Sequence, residues 1–155
     1  MDETFRKHAE SLHPSFERLI AMPPVKIATL KGKQPAKCIY LFSENGKHLY
    51  VGRTRKFRQR LRQHSIPAAQ HNQAVFAFKL AREATGRTDA TYSKKGSRAE
   101  LQSDPKFAEA FTQAKARVRN MDLRFVEETD PLRQALLEIY VAVALGTPYN
   151  DFETH

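Results

Sequence analysis

Two tyrosines, an arginine, a histidine and a glutamate stand out as side chains able to do chemistry. Tyr40 and Tyr50 each sit in a short apolar run. Arg60 and His64 follow Tyr50 by ten and fourteen residues, and Glu138 is the only charge in "ALLEIYVAVAL", residues 135 to 145. A free phenol, with a pKa near 10, is a poor base at neutral pH, but neighbouring cations favour its phenolate. A planar guanidinium suits two phosphate oxygens at once. A carboxylate in an apolar helix is costly unless it is paired or binds a metal. One carboxylate, several waters and a substrate phosphate make a typical magnesium shell. Each residue also has a plainer reading. The tyrosines can be a cross-strand pair that only stabilises a sheet. His64 can be a hydrogen-bonded core residue, and Glu138 can reach solvent on a flank shared with Gln134.

Charge points the same way as these groups. The 155-residue chain carries a net charge of +9, and a strongly basic domain often meets a polyanion, usually nucleic acid. Arg53, Arg55, Lys56, Arg58, Arg60 and Arg62 are concentrated just after the second tyrosine. At about 100° per residue, Phe57, Leu61 and His64 form the inward stripe of a helix there. Arg58 and Arg62 then point away from it, free to steer an anion, and Arg60 lies on its edge beside His64. There is no His/Cys cluster for zinc and no glycine-rich phosphate loop. No run reaches the roughly 18 apolar residues of a membrane span, and the first residues lack the apolar core of a secretory signal. The expected location is therefore intracellular and cytoplasmic, nucleoid-associated if the source is bacterial. The single cysteine, Cys38, reads as a small buried hydrophobe.

The elements that must position these groups are legible in outline. Residues 2–20 read as helical with a break at Pro14, and 22–37 as a connector. Strands are expected over 38–43 and 48–52, and helices over 55–64 and about 71–84. The polar stretch 85–98 reads as a mobile loop. Asp104-Pro105 and Asp130-Pro131 each look like an N-cap followed by proline in the first turn of a helix, with Gly146 closing the second. "MDLRFVEE", 121–128, alternates like a half-buried strand. The fold class is α+β: a small three-stranded mixed or antiparallel sheet, a hairpin plus a third strand, flanked by helices.

The hairpin register decides where the tyrosines point. A two-residue Asn45-Gly46 loop would pair Leu41 with Tyr50 and put the tyrosines on opposite faces. A three-residue loop, Glu44-Asn45-Gly46, pairs Ile39 with Val51, Tyr40 with Tyr50 and Leu41 with Leu49. It gathers the aliphatic residues on one face, each worth roughly 1.5–3 kcal/mol when buried, so burial favours it. Both tyrosines then share the other face with Gly52, where another group can approach closely.

"CIY" at 38–40 and "YVG" at 50–52, joined by a short turn, resemble the signature strands of the GIY-YIG nuclease superfamily. Arg60, His64, Glu138 and then "PYN" at 148–150 also match that superfamily in order and spacing. Cysteine stands where the family has its first glycine, and 66–120 is longer than the family core requires. The resemblance implies a single domain over 1–155, with a core of 38–64 and 121–150, an N-terminal helical extension (1–37) and a helical insertion (about 66–120). It implies a metal-dependent DNA endonuclease that hydrolyses phosphodiester bonds with one Mg²⁺ or Mn²⁺ ion. Glu138 would hold the metal, and Arg60 would stabilise charge on the phosphoryl oxygens. Tyr40 and Tyr50 would flank the attacking water, one of them as general base. His64 would orient a tyrosine or relay its proton, and Asn150 would support the site. Arg53, Arg55, Lys56, Arg58 and Arg62 would bind DNA, whether branched, damaged or a specific sequence. The alternative is a nucleic-acid-binding module of the same fold that cuts nothing.

Overall fold

The computed structural model describes residues 1–87 and 98–152. In chain order the elements are α1 (Glu3–Ser11), α2 (His13–Ala21), β1 (Cys38–Glu44), β2 (Lys47–Thr54) and α3 (Phe57–Ser65), then α4 (Val75–Thr85), α5 (Arg98–Ser103), α6 (Pro105–Arg119), β3 (Asp122–Glu127) and α7 (Pro131–Leu145). They form two compact units. The first is Met1–Arg58 with Met121–Asp151; the second takes in the described residues of Gln59–Asn120 and Phe152.

Local signals account for most boundaries. Pro14 falls in the first turn of α2, where a missing N–H costs nothing, and so divides the N-terminal segment in two. The Asp104 side chain accepts hydrogen bonds from the Lys106 and Phe107 backbone N–H groups. Asp130 accepts one from Arg133 N–H, and Gly146 ends α7 in the left-handed conformation. The short helix α5 was not expected from sequence. The middle of the stretch read as a mobile loop, 88–97, lies outside the described residues.

In the first unit the three strands form an antiparallel sheet in the order β2-β1-β3. Its hairpin corrects the expected register. Glu44 pairs with Lys47 and Ser43 with His48, so the loop is the two-residue Asn45-Gly46. Asn45 and Gly46 have φ of 53° and 78°, the positive pair that a type I′ turn requires. Between Ser43 and Phe42 the register slips, leaving Leu49 as an extra residue on β2. Beyond this bulge Phe42 faces Tyr50, Leu41 faces Val51, Tyr40 faces Gly52 and Ile39 faces Arg53. The Asn-Gly turn therefore wins locally, and the bulge restores the parity that burial demands.

The result preserves the expected division of faces. Ile39, Leu41 and Val51 pack with Leu12, Leu19, Val126, Leu137, Val141 and Ala142 in one buried cluster. That cluster seats α7 and α2 against one face of the sheet. The other face of the hairpin carries Tyr40, Phe42, Tyr50 and Gly52. Cys38 is fully buried, and burial pushes its thiol up to about 12, so it behaves as a hydrophobe.

The second unit has its own aromatic core. Phe78 on α4 meets Phe107 and Phe111 on α6 at ring-centroid distances of 5.0 and 5.6 Å. Lys115 is buried there. Its Nζ donates to the Pro67 and Ala69 carbonyls at 2.5 and 2.8 Å and sits 4.3 Å above the Phe111 ring. Three polarised partners offset the cost of burying an ammonium.

Candidate active site

On the aromatic face of the hairpin, the phenol end of Tyr40 lies over its cross-strand neighbour Gly52. A Cβ added at Gly52 would collide with the Tyr40 ring, so the missing side chain is what admits the phenol. The ring also meets Phe42 at 5.8 Å and Phe57, the first residue of α3, at 6.0 Å. Tyr50 stands diagonally across, 6.5 Å from Tyr40 between centroids. The two tyrosines share a face, as the sequence implied, but by a diagonal rather than a direct pairing. Their exposures differ: Tyr40 is 1% exposed, whereas Tyr50 is partly exposed.

Glu138 projects from α7 with 22% of its side chain exposed and forms an ion pair with Arg53, Nε to Oε2, at 2.9 Å. Arg53 faces Ile39 in the ladder, so it leaves β2 on the side that α7 covers. Tyr40 and Tyr50 leave on the other side. On the edge strand β2 the ion pair and the two tyrosines thus lie on opposite faces. Burial raises the Glu138 carboxyl above its usual range, and the Arg53 charge opposes that rise. Gln134, which the plainer reading of Glu138 put on a solvated flank, is buried. Its amide donates to the Thr54 and Glu128 carbonyls at 3.1 and 2.8 Å.

The segment after α7 is laced onto the free edge of β2. Asn150 accepts from Val51 N–H at 2.9 Å through Oδ1 and donates to Val51 C=O at 2.7 Å through Nδ2. The Thr147 hydroxyl donates to the same Oδ1 at 2.7 Å, and Tyr149 N–H donates to Leu49 C=O at 3.2 Å. One side-chain amide thus satisfies both main-chain groups of the residue between Tyr50 and Gly52. Sequence marked Asn150 as a support around the metal or DNA strand, whereas its partner here is the Val51 main chain, and it missed Thr147. The only available signal was the Thr-x-x-Asn spacing, which suits a local side-chain bond.

The basic run starts on β2 with Arg53, continues through Arg55 and Lys56 in the link, and ends on α3 with Arg58, Arg60 and Arg62. Phe57, Leu61 and His64 are buried, as the helical stripe required, while Arg55, Lys56 and Arg62 are exposed. Arg58 is exposed but not free. It donates to Gln34 Oε1 at 3.2 Å and to Gly32 C=O at 2.6 Å, pinning the connector before β1. Arg60 and His64 belong to the second unit. Arg60 Nη1 donates to Gln63 Oε1 at 3.2 Å and to Gln73 C=O at 3.0 Å. Burial, helped by the Arg60 charge, lowers the fully buried His64 to about 3, so its imidazole is neutral at neutral pH.

Among the described residues no group of three or more His, Cys, Asp or Glu side chains is placed to hold a metal ion. An all-protein cage is therefore absent there. Glu138 offers the other kind of donor set, a single half-buried carboxylate whose remaining ligands would be water and phosphate. It fits magnesium, which keeps several waters and takes few carboxylates. Among the described residues no helix is long and apolar enough to cross a membrane.

Comparison with known proteins gave one match. A family model described as "GIY-YIG catalytic domain" matches residues 36–150, most of the chain. No curated protein and no solved structure matches the chain significantly.

Proposed function

This chain belongs to the GIY-YIG catalytic domain family and has that family's nuclease-type α+β fold, and on that premise we propose that it is a metal-dependent DNA endonuclease. It would hydrolyse phosphodiester bonds with a single divalent ion, Mg²⁺ or Mn²⁺, as one functional domain over 1–155. The observation that carries the reading is the tyrosine face, where Gly52 gives up its side chain so that Tyr40 can lie against β2 beside a partly exposed Tyr50.

The difference in exposure supports a division of labour. A general base must reach the water it deprotonates. Tyr50 reaches solvent, so we assign it that role, and buried Tyr40 holds and orients it. Glu138 would hold the ion, which when bound polarises the phosphate and steadies the leaving oxygen. Arg60 supplies fixed positive charge for the phosphoryl oxygens. By the family resemblance, His64, neutral and buried, would orient a phenol or relay its proton. Asn150 fixes the main chain on which Tyr50 rides. Arg55, Lys56 and Arg62 would steer DNA through salt-sensitive contacts.

Supercoiled plasmid with Mg²⁺ provides the test. Wild type should nick it, Tyr50→Phe should lose roughly 10²–10⁴-fold, and Glu138→Ala should bind DNA yet leave the plasmid intact. Binding without cutting, across several divalent ions and branched substrates, would instead identify a non-catalytic nucleic-acid-binding module of the same fold.

A further inference from the structure

We infer that Arg53 is a built-in competitor of the metal ion, so that metal enters the Glu138 site efficiently only when a phosphate draws Arg53 away. This rests on the reading of Glu138 as the metal-holding carboxylate and goes beyond it by tying occupancy of the site to substrate.

The geometry that suggests this is the ion pair itself. Arg53 Nε lies 2.9 Å from Glu138 Oε2, and among the described residues Arg53 is the only partner Glu138 has. The guanidinium therefore supplies the positive charge that a half-buried carboxylate needs, in the place where a cation would supply it. A divalent ion arriving at the same carboxylate meets a like charge a few ångströms away in a partly desolvated setting, where Coulomb terms are much larger than in bulk water. The metal must then share the carboxylate with Arg53 at a penalty or displace it.

Arg53 is built to move. Half of its side chain is exposed, and its only described partner is Glu138. Its long stem pivots on β2 next to Gly52, and its planar donors match a phosphodiester at least as well as a carboxylate. An arriving phosphate offers the guanidinium a second anion and leaves the carboxylate in need of a cation. Swapping partners keeps every charge matched: Arg53 goes to the phosphate, and the metal goes to Glu138. By linkage, phosphate and metal must then strengthen one another's binding by the same factor.

The test is metal binding without DNA, read on the full-length, metal-stripped protein. Free Mn²⁺ is measured by electron paramagnetic resonance during titration, and the Glu138 site is defined as the one lost in Glu138→Gln. Arg53→Met and Arg53→Gln both remove the charge, and each should tighten that site by about tenfold or more in the absence of DNA. Addition of a short uncut DNA duplex should tighten Mn²⁺ binding in the wild type and do so by a smaller factor in both variants. Unchanged or weaker Mn²⁺ binding in the two variants, with Glu138→Gln still abolishing the site, would overturn the competitor role and leave the metal assignment standing. Retention of the site in Glu138→Gln would overturn both.

Discussion

Helix α7 takes part in two arginine–glutamate pairs, and they are built differently. Arg133 donates from Nε to Glu128 at 2.6 Å, from Nη1 to the Ser11 hydroxyl, and from Nη2 to Ser11 C=O at 3.2 Å. Its side chain and that of Glu128 are 25% and 11% exposed. The Arg53–Glu138 pair has one contact, with exposures of 50% and 22%. The first pair is a junction that ties α1 to the start of α7, with several donors satisfied in fixed directions. The second is a single charge facing a single charge, near solvent. A fully bonded pair is stable where it stands; a singly bonded, half-exposed pair can exchange partners at low cost. Two similar-looking pairs thus differ in how firmly each is held, and bonding and burial distinguish them.

Substitutions can break or sharpen that contrast. The largest effect is expected for Glu138→Gln, which should lower plasmid nicking by on the order of 10³-fold, comparable to losing a preorganised charge-stabilising group. It should leave the thermal midpoint close to wild type. A large fall in midpoint would mean that Arg53–Glu138 is structural after all. Arg133→Met should do the reverse, costing about 2–3 kcal/mol in urea unfolding because Glu128 is left buried and unmatched. Its nicking rate at a temperature well below the midpoint should be unchanged.

Asn150→Ala tests whether the laced segment is part of the machinery or only a clasp. It strands both main-chain groups of Val51 and should cost about 1–3 kcal/mol. If it also lowers kcat at saturating DNA in protein that remains folded, then the segment positions Tyr50. A stability loss with kcat intact would leave it a clasp.

His64 adds a charge-free counterpart to the two ion pairs. Its folded pKa, about 3, lies below the ordinary value of 6.5, so the unfolded chain takes up a proton that the folded chain refuses. The stability from neutral His64 is complete above about pH 6.5 and is lost as pH falls toward 3, by about 1.4 kcal/mol per pH unit. Urea midpoints measured across that window should show the slope in wild type and a shallower one in His64→Gln. The smallest effect is expected for Arg58→Met. It releases an exposed tether to Gly32 and Gln34 and should change stability by no more than about 0.5 kcal/mol.

How much of this was legible in the sequence depends on how local each cause is. Asp104-Pro105, Asp130-Pro131 and Gly146 announced helix ends because capping is settled within four residues. The alternation of "MDLRFVEE" announced β3, and the stripe of Phe57, Leu61 and His64 announced which side of α3 is buried. The hairpin was half legible. Its faces followed from burial, but its loop did not, because the bulge at Leu49 leaves no mark in a pattern of apolar and polar residues. Without it, the Asn-Gly turn and the burial of Ile39, Leu41 and Val51 looked mutually exclusive. The Arg53–Glu138 and Asn150–Val51 contacts span about half the chain or more, and nothing near either partner encodes them. Arg53 and Arg58 looked alike as members of a basic run. Only their surroundings show that each is already engaged, one by a carboxylate and the other by the connector.

The lacing of Tyr149 and Asn150 onto β2 has a counterpart across the sheet, where Val25 exchanges main-chain hydrogen bonds with Leu123 of β3 at 2.9 and 2.8 Å. Both outer strands are thereby blunted, so a stray extended peptide or a sister copy finds less open ladder to extend. A chain cut after Gly146 would reopen one border of the sheet, and its failing would show first as self-association in concentrated solution.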